Sequence, residues 1–290
     1  MVGQNRSDDS VKTWDWSIVP ESSWFNWNGR ELWAYRHLLL RLIRRDFLVH
    51  HQQTLLGPMW IVYQPIITLI TYVFIFEKAV GLSTGGVPSY LFYFSGIIVW
   101  NLFSESFIGT AFTFTQNAQL FEKVYFPRMI IPFSVVATHL IRFGIQLILF
   151  ALLLAFFIFT KDFEVYPVRW LPALLTTLVL APGLGMGLGL IFSLLTAKYR
   201  DLVNVIHLGV RLLMFATPVI YPLSIVSRDI QGIVLFNPLT PVFEFFRYAF
   251  LGNGMFNYLQ LLYSLVSMIV LIVFGSMLFN KFGSKLQDVL

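Results

Sequence analysis

The sequence predicts an all-α integral membrane protein: six transmembrane helices, an N-terminal amphipathic interfacial helix before them, and an external re-entrant helical segment near the end. Three observations carry that expectation. Of the 290 residues, 57% are hydrophobic and only 12% charged, against about 25% charged in a soluble domain. Six apolar runs, at 59–76, 89–114, 130–160, 170–196, 203–222 and 258–279, lie near the length of about 20 residues that a bilayer core requires. Residues 30–56 show a two-sided helical pattern too polar to cross.

In chain order, 1–29 is a polar tail, expected to be cytoplasmic. Its start, MVGQNRSDDSVKTWDW, lacks the apolar core of a secretory signal, so the first span is expected to act as the internal insertion signal. Trp14, Trp16, Trp24 and Trp27 are interleaved there. They fit either contact with a surface or a flexible tail with aromatic anchors. Residues 30–58 form the interfacial unit. At about 100° per residue, Arg30, His37, Arg41 and Arg44 share one face, and Leu32, Leu39, Leu40, Ile43 and Phe47 the other. Such a helix lies in the interface with its arginines toward anionic headgroups. Gly57-Pro58 ends it.

Residues 59–280 form the six-helix domain and 281–290 a cytoplasmic tail. The third run is long enough to tilt or project, and Pro218 and Pro222 should bend or end the fifth. Between the second and third runs lies a polar, basic loop, NAQLFEKVYFPRMIIP (117–132), which ends in Phe126-Pro127-Arg128 as the next apolar run begins. With the N-terminus inside, the inner segments hold Arg36, Arg41, Arg44, Arg45, Lys123, Arg128, Lys198, Arg200, Lys281 and Lys285. The outer ones hold Lys78, Lys161, Arg169, Arg228 and Arg247. This bias places both termini in the cytoplasm. It makes 223–257 external, yet that stretch is too apolar for a loop and reads as one or two short helices dipping back into the membrane. No internal repeat is present, which disfavours a secondary transporter built from inverted halves.

The residues exclude several chemistries. There is no cysteine, hence no thiol or disulfide chemistry. No GxxxxGK[ST] loop is present, so if the chain serves active transport, ATP hydrolysis is expected on another polypeptide. HExxH is absent, and adjacent His50 and His51 do not share a helical face as metal ligands. The acids Glu77, Glu105, Glu122, Asp162, Glu164, Asp201 and Glu244 are scattered, so a glycan-processing enzyme lacks its carboxylate cluster. The net charge of +5 is a matter of topology; no basic stripe suggests nucleic acid. Gly183, Gly185, Gly187 and Gly189 alternate inside an apolar run and predict close helix packing. Glu105, His139, Arg142, His207 and Arg211 fall inside spans, where ionisable groups face a bundle interior. They fit a polar lining for hydrophilic cargo, a Glu105–Arg142 ion pair locking two helices, or, least well, a proton relay. Trp60, Tyr63, Tyr72, Tyr90, Tyr93, Trp100, Phe103 and Phe107 crowd the first two spans. Rings of this kind stack on sugar C–H faces or simply pack.

Several motifs in order then carry a resemblance: ELWAYRHLLL, LLGPMWIVYQPIITLITYVFIF, NAQLFEKVYFPRMIIP, LTAKYRDL, ATPVIYP and NPLTPVFEFFR. From about residue 31 to the C-terminus the chain resembles the transmembrane permeases of type-2 ABC exporters for lipid-linked polysaccharides (O-antigen, capsule and teichoic acid). The resemblance implies a homodimer in the bacterial inner membrane, with a channel between the permeases and an ATP-binding subunit docked on each. ATP and magnesium would be bound by that partner, with no cofactor on this chain. The cargo would be an undecaprenyl-pyrophosphate-linked polysaccharide. It further implies an ATPase-coupling gate at Asn117, Glu122, Lys123, Phe126, Pro127 and Arg128, with a second contact at Lys198, Tyr199, Arg200 and Asp201. The cargo headgroup would meet Arg41, Arg44 and Arg128 at the inner entrance, and Tyr63, Trp100, Phe103, Glu105 and Arg142 are candidates to line the channel. Export of a drug or another lipid is the alternative within this class.

Overall fold

The computed structural model describes residues 29–49, 54–123, 126–161, 163, 165–199 and 201–286. The expected N-terminal tail, His50-His51, Arg200 and the last four residues lie outside them. Every element among the described residues is helical. Helices α1 (Gly29–Ala34) and α2 (Arg36–Val49), separated at Tyr35, cover the stretch expected to be the interfacial unit. α3 (Trp60–Tyr72) runs on into a π-helical stretch, Val73–Ala79. α4 (Ser89–Ala111) is followed by the short α5 (Thr113–Lys123), and α6 (Ile130–Lys161) and α7 (Trp170–Lys198) are the longest consecutive pair. α8 (Leu202–Ala216), α9 (Arg228–Phe236) and α10 (Thr240–Leu251) are short, and α11 (Tyr258–Leu286) closes the chain.

Among the described residues, five helical stretches are long and apolar enough to cross a membrane: Gly57–Ala79, Ser89–Ala111, Ile130–Lys161, Pro167–Lys198 and Tyr258–Lys281. The fifth of the expected runs, 203–222, is shorter than its sequence suggests. α8 has 15 residues, about 22 Å of helix at a rise of about 1.5 Å per residue, and stops where Thr217 turns extended before Pro218. The segment after it, expected to be helical, contains two short helices, α9 and α10.

α4 is the central post. Most of its residues are buried, and it packs along α7, α6 and α3. The alternating glycines explain how α7 fits between two neighbours. Positions 183 and 187 share one face, and a Cβ there would strike Met268, Leu271 or the α11 backbone. Positions 185 and 189 share the opposite face, where a Cβ would lie 2.6 Å from the Phe103 carbonyl or 2.5 Å from Thr110. Gly275 returns the favour from α11, since its Cβ would meet the Gly187 carbonyl at 2.8 Å. Small residues four apart thus allow two close helix crossings.

α2 packs with its apolar face, on which Leu39, Ile43 and Phe47 are half-buried. Leu42 is its buried residue, set against Phe126, Ile130 and Ile131 at the start of α6, with Leu38 and Leu39 beside it. Leu40, on the same apolar side, is 61% exposed, and Arg41 and Arg44 on the basic face are exposed too. At the break, Leu38 and Leu39 both donate their N–H groups to the Tyr35 carbonyl.

Candidate functional site

Three constellations carry the polar and ionisable groups. The first lies midway along the bundle. Glu105 on α4 accepts from two side chains of α6: His139 Nδ1 lies 2.9 Å and Arg142 Nη1 3.4 Å from its Oε2. One helical turn away, Asn101 donates to Gln146 across a long 3.4 Å contact. These pairs border a cleft of about 180 Å³ between α3, α4 and α6, which Trp60 and Gln64 also line. The sequence left an inter-helix ion pair and a polar lining as alternatives, and both features occur on one carboxylate. Tyr63 is exposed on α3. Trp100 and Phe103 are placed differently: they are 7% and 0% exposed and pack on each other in the core, so they offer no lining surface in this chain. His207 and Arg211, expected to face the bundle interior, instead lie exposed on α8 and form an open polar stripe with Asn204.

The second constellation is at the end where α4 passes into α6. The helix direction changes at Phe112, and α5 is kinked at Asn117, whose φ and ψ are −122° and 22°. Asn117 is buried there. Its amide donates to the Thr113 carbonyl at 3.2 Å and its carbonyl accepts from Arg45 Nη2 of α2 at 2.9 Å. Phe126 is buried and stacks on Phe121 with centroids 5.6 Å apart, while Phe114 stacks on Phe279 of α11 at 4.6 Å. Pro127 and Arg128 lie in the turn that leads into α6, their carbonyls accepting from the N–H groups of Ile130 and Ile131. Glu122 and Lys123 occupy the last turn of α5. The second expected inner contact lies at the same end, because Thr196 at the foot of α7 donates to the Ala111 carbonyl at 2.6 Å. Beyond it Lys198, Tyr199 and Asp201 are exposed, with the Lys198 ammonium 5.1 Å from the Tyr199 ring. Arg45, which ties α2 to the kink, was read from the sequence only as one more inner basic residue.

The third constellation lies at the opposite end of α4 and was missed altogether. α10 is buried along nearly its whole length. Its Arg247, 2% exposed, donates to the carbonyls of Pro218 and Val219, the latter at 2.7 Å, and its guanidinium sits 3.8 Å from the centre of the Phe92 ring on α4. Glu244 Oε1 approaches at 3.8 Å, and Glu244 Oε2 accepts from the Met255 N–H at 2.8 Å. Two sequence motifs therefore meet: Arg247 caps the carbonyls that α8 leaves open when it breaks at TPVI. Asn237 reinforces the joint by donating to the Thr217 hydroxyl at 2.8 Å. Buried irregular backbone needs its carbonyls satisfied, and here one guanidinium does so. The signal was present in the sequence as an arginine inside an apolar stretch.

The family model described as ABC-2 type transporter matches residues 37–251. Two proteins of Klebsiella pneumoniae, each named O-antigen export system permease protein RfbA, are 28% identical over 258 and 254 residues, 87% of this chain and 95% of theirs. A Myxococcus xanthus protein of the same name is 32% identical over 202 residues, 69% of this chain and 74% of its own. The matched stretch begins in α2 and ends with α10, so it holds the three constellations apart from Met255 and Phe279; the chain belongs to the ABC-2 type transporter family and is a multi-pass membrane component of a transport system.

Proposed function

We propose that this chain is the permease subunit of an ATP-driven exporter that moves an undecaprenyl-pyrophosphate-linked, O-antigen-like polysaccharide across the bacterial inner membrane. It acts as a homodimer with two ATP-binding subunits, which bind the ATP and magnesium. The observation that carries this reading is the kinked α5, anchored by Asn117 to Arg45 and by an aromatic stack to α6 and α11, at the end where Lys198 and Asp201 are exposed. A short helix held on several sides but open to the outside is what a partner needs to push the bundle. The names of the relatives support the cargo, and the half-polar cleft beside Glu105 supports a hydrophilic one. In this reading α2 lies at the inner face, with Arg41, Arg44 and Arg128 receiving the cargo's pyrophosphate through charge-assisted hydrogen bonds. α8 with the buried turn after it completes a sixth crossing, both termini are cytoplasmic, and α9 and α10 form a re-entrant outer segment.

Deletion of the gene tests the reading. Full-length lipid-linked glycan accumulates inside the cell and disappears from its surface. Polymer still exported but short or altered makes the protein a synthetic factor; polymer unaffected in place and length removes the glycan as cargo. With the deletion complemented, Arg128→Glu lowers export while the protein still assembles with its ATPase, and wild-type export removes Arg128 from the headgroup site.

A further inference from the structure

We infer that the cleft between α3, α4 and α6 is a subsite for one neutral sugar ring of the cargo, with Trp60 as its apolar wall and the amides of Gln64, Asn101 and Gln146 as its hydroxyl partners. The inference rests on the export reading and adds a place on this chain where the polymer touches it. A polar cleft inside a membrane bundle needs a polar occupant, because lipid tails leave its donors and acceptors unsatisfied. Its chemistry then selects among occupants. Glu105 and Arg142 face each other at 3.4 Å, so the pair offers neither a net positive site for a phosphate nor a net negative one for a cation. What remains is a set of carboxamides, each with two donors and an acceptor. The described contacts use little of this capacity: Asn101 and Gln146 share one long bond, and the Arg142 Nε is buried without a partner. A group that donates and accepts at once matches such a set, and a hydroxyl does both. Trp60 is half-exposed and lines the same space. An indole face suits the C–H side of a pyranose. At about 180 Å³ the cleft has room for one ring rather than a chain segment.

The test uses the full-length protein in lipid nanodiscs. The probe is the set of lipid-free oligosaccharide repeats released from the cell's own surface glycan, with binding read by saturation-transfer NMR. The wild type binds, with transfer strongest at ring protons. Gln64→Leu weakens binding about tenfold, as loss of about 1.4 kcal/mol would, and Trp60→Ala does the same while Trp60→Phe retains it. Gln64 and Trp60 both lie on the exposed side of α3, so these variants fold, which thermal unfolding verifies. Absence of oligosaccharide binding to the wild type leaves the cleft to water and overturns the subsite, as does unchanged affinity in both Gln64→Leu and Trp60→Ala. The two readings fail separately. A deletion strain that still exports sinks the export function. A deletion that blocks export, with Gln64→Leu and Trp60→Ala restoring it fully and binding at wild-type affinity, sinks only the subsite.

Discussion

Arg247 shows how one side chain holds the buried break after an apolar helix. Its two carbonyl partners would be orphaned in Arg247→Met, at about 1–3 kcal/mol each. The expected result is a large drop in thermal stability in detergent and little recovery in Arg247→Lys, since a point ammonium does not span two carbonyls and a ring as the planar guanidinium does. A melting temperature equal to wild type in Arg247→Met would remove this role. Gly96 belongs to the same joint, because a Cβ there would lie 2.5 Å from the Val219 carbonyl and 2.9 Å from Arg247 Nη2. From the sequence Arg247 was assigned to the outside, since a topology argument counts basic residues without asking what buries them. Glu105 and Arg142 were legible as partners because both are ionisable groups inside apolar runs. His139, one turn before Arg142, was noticed but not paired; only the structure shows that it makes the shorter contact to the carboxylate.

Between elements, the glycines of α7 yield the sharpest contrast. Gly185→Val pushes α4 and α7 apart and should sharply lower the yield of monodisperse protein. Gly144→Ala on α6 meets nothing within 4 Å and should be neutral or stabilising by up to about 1 kcal/mol from helix propensity. Paired thermal melts check both, and equal behaviour of the two variants would contradict the packing account. The spacing of four made this packing readable in advance; which helices lay on the two faces was not, because pairing is a tertiary fact. The Arg45–Asn117 bond makes a second claim at this scale. Arg45→Gln and Asn117→Ala should each reduce export per ATP hydrolysed without releasing the ATPase, and the double variant should be no worse than the single ones. Additive losses would mean that the two residues act independently. The kink at Asn117 was hidden in the sequence, since asparagine is common in loops and nothing local distinguishes one whose side chain anchors a distant helix.

For the whole molecule, helix type and order were legible, because apolar length fixes what can cross. The shortness of α8 was not, because Val219 and Ile220 continue the apolar run after the helix has ended and hydropathy does not register backbone shape. α8 presents an exposed face, as do α3, α6 and α11. Asn204, His207 and Arg211 form a stripe on α8 that lipid would cover poorly, so a second copy or an aqueous path should lie there. The chain contains no cysteine, so a single introduced thiol reports without background. Leu212→Cys, at a position 60% exposed, should cross-link to a second copy in membranes, whereas Leu152→Cys on the outer side of α6 should not; the reverse pattern would relocate the contact. The joint at Arg247 has a mechanical consequence. One end of α4 is riveted to α10 and the broken segment, whereas beyond the other, where Thr196 holds the Ala111 carbonyl, the chain continues into a kinked helix fixed by stacked rings and the Arg45–Asn117 hydrogen bond. A load applied at α5 would therefore deflect that end most and the riveted end least, as tongs pivot near their hinge, and the bundle would open by splaying at the handles rather than by stretching along its length.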